Sequence, residues 1–213
     1  MVRFITFEGG DGTGKTTQLR VVESHLRELN RSCVLTREPG GTALGKMLRK
    51  VLLEVGDEKI AESSELFLYL ADRAQHVKQI IAPALRDGKV VLCDRFSDST
   101  LAYQGYGRGI NLDLLRCLND TATQGLRPDL SFLFDCPVDV GLARAALRGA
   151  QTQDGRPRED RFEREKLEFH EKVRQGFLEL ARAEPKRFRV IDASRPVPDV
   201  ANQIRAIIDR ELV

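Results

Sequence analysis

The chain has 213 residues, 41% of them hydrophobic and 31% charged, the balance of a folded globular protein with a core large enough for one domain rather than two. A net charge of +2 argues against a protein whose main work is neutralising a nucleic-acid backbone. The N-terminal run meets Glu8 too early to hold a signal peptide, and no apolar run approaches the roughly 20 residues that span a bilayer, so a cytoplasmic protein with neither nucleic-acid nor membrane partners is expected.

The first strand is expected over residues 2–7, continuously apolar apart from Thr6 once past Arg3. It runs into Gly9-Gly10-Asp11-Gly12-Thr13-Gly14-Lys15-Thr16, which fits G-x-x-x-x-G-K-[ST] residue for residue. An amphipathic helix follows, with Leu19, Val22, Leu26 and Leu29 at steps of three and four. Strand, glycine-rich loop and helix together make a phosphate-binding loop. Glycines let successive N–H groups point inward, and the helix N-terminus adds the positive end of its dipole. Lys15 brings a point charge for the β- and γ-phosphates, and the Thr16 hydroxyl is a candidate Mg²⁺ ligand. With Thr17, residues Gly9 to Thr16 form the candidate ATP site.

A second strand is expected at 32–36, then a long helix with the stripe Leu66, Leu70, Ala74, Val77, Ile81, Leu85. The third strand, 90–93, ends in Asp94-Arg95-Phe96. An acid there lies beside the phosphate loop in such sheets, where Asp94 can hold Mg²⁺ through water, and Arg95 can reach a second phosphate group. The fourth strand is expected at 130–134. Residues 149–160, rich in Gly and charge and without a large aliphatic side chain, fit a mobile lid over a phosphate site. The stripe Phe169, Val173, Phe177, Leu180 marks another helix, the fifth strand falls at 187–191, and Val200, Ile204, Ile207 and Ile208 mark the last helix. Strands alternating with helices predict an α/β fold: a five-stranded parallel sheet with helices on both faces. The scattered Cys33, Cys93, Cys117 and Cys136 read as buried free thiols, and His25, His76 and His170 as surface or boundary residues. No guanine-reading N-K-x-D motif occurs, which excludes a GTPase switch.

Four ordered stretches narrow the class further. The run from Phe7 to Gln18, the loop Thr36-Arg37-Glu38-Pro39-Gly40-Gly41-Thr42, the helical Leu70-Ala71-Asp72-Arg73-Ala74-Gln75-His76, and Leu92 to Gln104 resemble the motifs of thymidylate kinases, in that family's order. With Asp160-Arg161-Phe162-Glu163 they cover nearly the whole chain. The resemblance implies a nucleoside-monophosphate-kinase-like P-loop fold and transfer of the γ-phosphoryl of Mg·ATP to dTMP. It implies that Arg95 grips the dTMP phosphate, that Asp11 meets the sugar 3′-hydroxyl, and that Glu38 and Pro39 belong to the acceptor pocket. It implies Tyr69 against thymine, in place of the family's more frequent Phe, with Arg73 at the carbonyl edge of the base. Ser99, Tyr103 and Gln104 match positions lining the nucleoside pocket, with Tyr103 under the deoxyribose. Phe67, two residues from Tyr69, is expected in the core. A homodimer is implied as well.

One branch of the family carries a catalytic Arg inside the P-loop, where this chain has Gly12; the other supplies arginines from the lid. Arg144 and Arg148 match lid positions, with Arg148 the stronger candidate and Arg158 a second. Two rivals remain at this level: a kinase of another pyrimidine nucleotide or a deoxynucleoside, and a nucleotide-binding protein that has lost transfer.

Overall fold

The computed structural model describes residues 2–54, 59–150 and 161–212, with side chains throughout except at 148–150. Five strands, β1 (Phe4–Glu8), β2 (Cys33–Arg37), β3 (Val90–Asp94), β4 (Leu130–Asp135) and β5 (Phe188–Asp192), form one sheet in the order β2-β3-β1-β4-β5. All the pairings are parallel. Each parallel step needs a crossover, and helices supply it: α1 (Lys15–Glu28), α2 (Ala43–Leu53), α3 (Glu62–His76), α4 (Ala82–Arg86), α5 (Ser97–Thr100), α6 (Leu112–Thr123), α7 (Val138–Ala150), α8 (Leu167–Ala183) and α9 (Val197–Glu211).

The central strand β1 is buried along its whole length, and its pleat divides the core between two faces. Ile5 and Phe7 point to one side and pack with Leu19, Val22 and Leu26 of α1 and with Val200, Ile204, Ile207 and Ile208 of α9. On the other side Phe4 joins Val91, Cys93, Phe96, Val77 and Ile81, while Leu133 and Phe188 meet Phe169, Val173, Phe177 and Leu180 of α8. Burying one such side chain is worth roughly 1.5–3 kcal/mol, so these two layers carry much of the stability. Thr6 and Ser131, polar in strands buried on both faces, satisfy one another at 2.7 Å, and Arg187 also donates to Ser131.

The periodicity in α1, α8 and α9 describes the buried faces correctly except at Leu29, which caps α1 and is exposed. The long-helix stripe holds at Leu66, Leu70, Val77 and Ile81, with Leu85 partly buried, and fails at one position. Ala74 is exposed, and the buried face runs through Glu65, Leu66, Leu70, Asp72, Arg73 and His76. Phe67 is 60% exposed, so the expectation of a core residue is corrected. A π-helical stretch, Val77–Ile81, links α3 to α4, and a second, Leu101–Gly107, continues α5. The histidines also differ from expectation: His76 is wholly buried, and so is most of His170. All four cysteines are free thiols, but Cys117 is exposed on α6 and Cys33 only partly covered.

Candidate active site

Because β1 is central, the loop leaving its C-terminal end lies between β3 and β4, where parallel sheets place their ligands. Gly9, Gly12 and Gly14 have φ of 130°, 72° and 87°, values that L side chains rarely adopt, and these three turns curl the loop. Gly14 caps α1 without a side-chain hydrogen bond, so the positive end of the helix dipole is set at the loop. Lys15 is nearly buried and donates to the carbonyls of Gly9 (3.0 Å) and Gly10 (2.6 Å) and to the Thr13 hydroxyl (3.3 Å). Burial, and then the neighbouring Arg95 charge, push its ammonium down to about 8. An anion at the loop would reverse that effect.

At Gly12 no side chain fits. A Cβ there would stand 1.8 Å from the carbonyl oxygen of Gly141 on α7, in a backbone region already hostile to side chains. The P-loop of this chain therefore has no place for an arginine at Gly12.

Across from the loop, β3 ends in Asp94, whose carboxylate accepts from the Thr16 hydroxyl at 2.9 Å. Two hard oxygen ligands on neighbouring elements thus converge at the mouth of the phosphate loop, a donor set suited to Mg²⁺. Arg95 follows with φ 68°, a left-handed conformation that costs a non-glycine residue roughly 1–2 kcal/mol. From that turn its side chain reaches the P-loop. Its guanidinium donates to the Gly9 carbonyl (2.8 Å), the Asp11 carboxylate (2.7 Å), Ser99 Oγ (3.3 Å) and the Tyr103 hydroxyl (3.1 Å). It also lies 5.0 Å from the Tyr103 ring centroid. Burial alone would raise Asp11, but Arg95 and Lys15 beside it hold its carboxyl below the usual range. Tyr103 donates to the other Asp11 oxygen at 3.2 Å, and burial keeps its phenol protonated well above the ordinary range.

Beyond Arg95 a cavity of about 350 Å³ opens between α3, the π-helical stretch after α5 and the P-loop. Its lining includes Asp11 to Thr16, Glu38, Pro39, Tyr69, Arg73, Asp94, Arg95, Ser99, Tyr103 and Gln104. The candidate residues from the P-loop, the loop after β2, α3 and the Asp94-Arg95 turn are therefore brought to one place. Gly9 and Gly10 instead face the chain after β4, and Thr17 is exposed on α1. Arg144 donates to the carbonyls of Ala193 (2.7 Å) and Ser194 (3.4 Å). Arg158 and most of the expected lid, 151–160, lie outside the described residues, and so does the side chain of Arg148.

Tyr69 reaches the cavity half-buried, 6.4 Å from the Phe162 ring. Arg73, one turn on, is 1% exposed. Its Nε donates to Glu38 (2.8 Å), Nη1 to Thr100 (2.7 Å) and Asn119 (2.6 Å), and Nη2 to the Phe96 carbonyl (3.0 Å). Four of the five guanidinium hydrogens are committed to the protein, leaving one for a ligand. Glu38 is held in turn by His76 at 2.9 Å, whose other ring nitrogen meets Thr36. Gln104 donates to buried Glu65 at 2.7 Å, which also pairs with Arg108 and Arg161.

Sequence reading missed Glu8, Glu65, His76 and Phe162 at the site. Glu8 carried a signal: an acid closing a strand that is otherwise apolar and about to enter a phosphate loop. Glu65 carried none, because its partners stand about 40 and 100 residues away.

A model of the family described as thymidylate kinase matches residues 7–204. The chain is 53% identical over 209 residues to the thymidylate kinase of Desulfovibrio desulfuricans, covering 98% of this chain and 96% of that one. It is 53% identical over 205 residues to that of Geobacter sulfurreducens, covering 96% and 95%. The chain belongs to the thymidylate kinase family. Among solved structures, a thymidylate kinase from Ehrlichia chaffeensis superposes with a TM-score of 0.76 at 36% identity, covering 97% of this chain and 98% of that one.

Proposed function

We propose that the chain transfers the γ-phosphoryl group of ATP to dTMP, giving dTDP and ADP, in the cavity between the P-loop and α3. A phosphate oxygen of dTMP forms the new bond to the γ-phosphorus as the bond to the ADP oxygen breaks. The observation that carries this reading is the Arg95 guanidinium, which touches both the donor loop, at Gly9 and Asp11, and the acceptor wall, at Ser99 and Tyr103.

Phosphoryl transfer asks for positioning and charge rather than covalent help. Arg95 holds the acceptor phosphate against the P-loop and offsets negative charge as the phosphoryl moves. Lys15 and the loop amides hold the triphosphate. Asp11, ionised beside Arg95, accepts from the sugar 3′-hydroxyl, and Tyr103 closes the floor beneath the deoxyribose. Tyr69 lies against the base, with Arg73 offering its one uncommitted N–H, and Glu38, Pro39, Ser99 and Gln104 complete the pocket. Thr16 and Asp94 would hold Mg²⁺, which would neutralise charge on the β- and γ-phosphates. Arg148 and Arg158 are assigned the remaining cationic role, since Gly12 admits no arginine.

Replacing Arg95 with Ala tests the reading. It should cut kcat/KM for dTMP by roughly 10²-fold or more while KM for ATP stays within a few-fold. A variant within a few-fold of wild type on dTMP would remove Arg95 from this role.

We also infer a homodimer and a cytoplasmic location. Leu44, Met47 and Val51 form an exposed apolar stripe on α2, and Phe67 on the adjoining α3 and Leu114 on α6 are exposed as well. Sedimentation equilibrium should give twice the chain mass, and Met47→Glu with Phe67→Glu should give the monomer. Among the described residues no helix is long and apolar enough to cross a membrane, and the four cysteines are unpaired.

A further inference from the structure

Arg95 stands in a backbone conformation that its own side chain disfavours, so something must hold it there. Three contacts surround the turn. The Arg95 amide donates to the Phe7 carbonyl at 3.0 Å, the Cys93 thiol donates to the Arg95 carbonyl at 3.1 Å, and the next amide, Phe96, donates to a carboxylate oxygen of Glu8 at 2.8 Å. The second oxygen of Glu8 accepts from Ser99 Oγ at 2.6 Å, and Ser99 Oγ is itself within reach of the Arg95 guanidinium. Glu8 has no solvent exposure, and its backbone leads directly into Gly9, whose carbonyl Arg95 also grips.

We propose that Glu8 is a positioning residue for phosphoryl transfer: its carboxylate, by fixing the Phe96 amide and the Ser99 hydroxyl from the last residue before the P-loop, sets Arg95 in register with the donor phosphates. This rests on the role given to Arg95 above. The design is economical because one side chain ties the start of the donor loop to the turn that carries the acceptor-gripping cation. A shift of that turn by an ångström would leave the P-loop intact and misplace the guanidinium. Glu8 touches neither nucleotide in this reading and acts through Arg95 alone. The groups facing it are Ser99, Asp98, Arg95 and the Phe96 amide.

The geometry makes acceptor position, rather than charge, the requirement. Glu8→Gln keeps an oxygen at the Phe96 amide, and its NH₂ can donate to Ser99 Oγ. Glu8→Asp keeps the charge but draws the carboxylate back by one methylene. The expectation is that Glu8→Gln retains kcat on dTMP within about five-fold, while Glu8→Asp and Glu8→Ala lose roughly ten-fold or more, with affinity for a fluorescent ATP analogue unchanged within about two-fold.

Each substitution should then be repeated in an Arg95→Ala background. If Glu8 works through Arg95, the Asp and Ala substitutions there should cost less than about three-fold further. Equal losses in both backgrounds, or an active Glu8→Asp beside an inactive Glu8→Gln, would overturn the proposal. An Arg95→Ala enzyme as fast as wild type would instead overturn the reading of Arg95. Should Glu8→Ala fail to fold, the Gln and Asp pair decides alone.

Discussion

Arg73 offers a quantitative test of how much of this site is scaffold. Its guanidinium is almost wholly buried, pairs with Glu38 at 2.8 Å, and donates three further hydrogen bonds to Thr100, Asn119 and the Phe96 carbonyl. Replacing it with Met keeps most of the volume and removes every donor. Glu38 would keep only His76, and the acceptors on Thr100, Asn119 and Phe96 would face an apolar side chain. Breaking a buried ion pair from one side costs about 3–5 kcal/mol, because the partner charge is left without compensation. Near the melting point of a chain this size, each kcal/mol moves Tm by about 2–4 °C, so Arg73→Met should lower Tm by about 6–20 °C. Differential scanning calorimetry without ligand measures this directly. Adding Glu38→Gln should restore part of the loss, since the stranded charge is then removed. A Tm within 2 °C of wild type for Arg73→Met would refute the view that this arginine is chiefly a buried structural tie with one donor to spare.

Two other outcomes follow from local geometry. Burial and the Asp98 charge push the Glu8 carboxyl from 4.5 up to about 7, so the folded chain holds a proton that the unfolded chain releases near 4.5. The folded state then binds more protons between those values, and this group makes stability fall as pH rises from about 4.5 to 7. Glu8→Gln should remove that slope and gain up to about 3 kcal/mol over wild type at pH 8 in urea titrations; an unchanged difference between pH 5 and pH 8 would contradict it. Gly12→Ala should destabilise the chain by about 2 kcal/mol or more and weaken ATP binding, because its Cβ meets the Gly141 carbonyl at 1.8 Å, and isothermal titration with an ATP analogue checks the second effect.

Most of the scaffold was legible in the sequence because its elements obey local rules. The five strands are apolar runs of the right length, and the stripes of α1, α8 and α9 face the sheet as their spacing predicts. The P-loop was legible because its chemistry is local: glycines, lysine and hydroxyl within eight residues. The failures cluster on α3, where Glu65, Asp72, Arg73 and His76 share the buried face with the expected Leu66 and Leu70. Buried charges obey no hydrophobic period, and each is compensated by a partner distant in sequence, such as Glu38 for Arg73 and Arg161 for Glu65. That same helix turns Phe67 outward, so an aromatic taken for core lies on the surface. The π-helical stretch Leu101–Gly107, which carries Tyr103 and Gln104 to the cavity, has no compositional signature either.

The acceptor decides the central claim most directly. With wild-type chain, ATP and Mg²⁺, ADP release coupled to chromatography of the product should be measured for dTMP, dUMP, dCMP, dGMP and AMP. The account predicts the highest kcat/KM for dTMP, one dTDP formed for each ADP released, and little turnover of the purine nucleotides. Turnover of another acceptor above that of dTMP, or ADP release without dTDP, would contradict it.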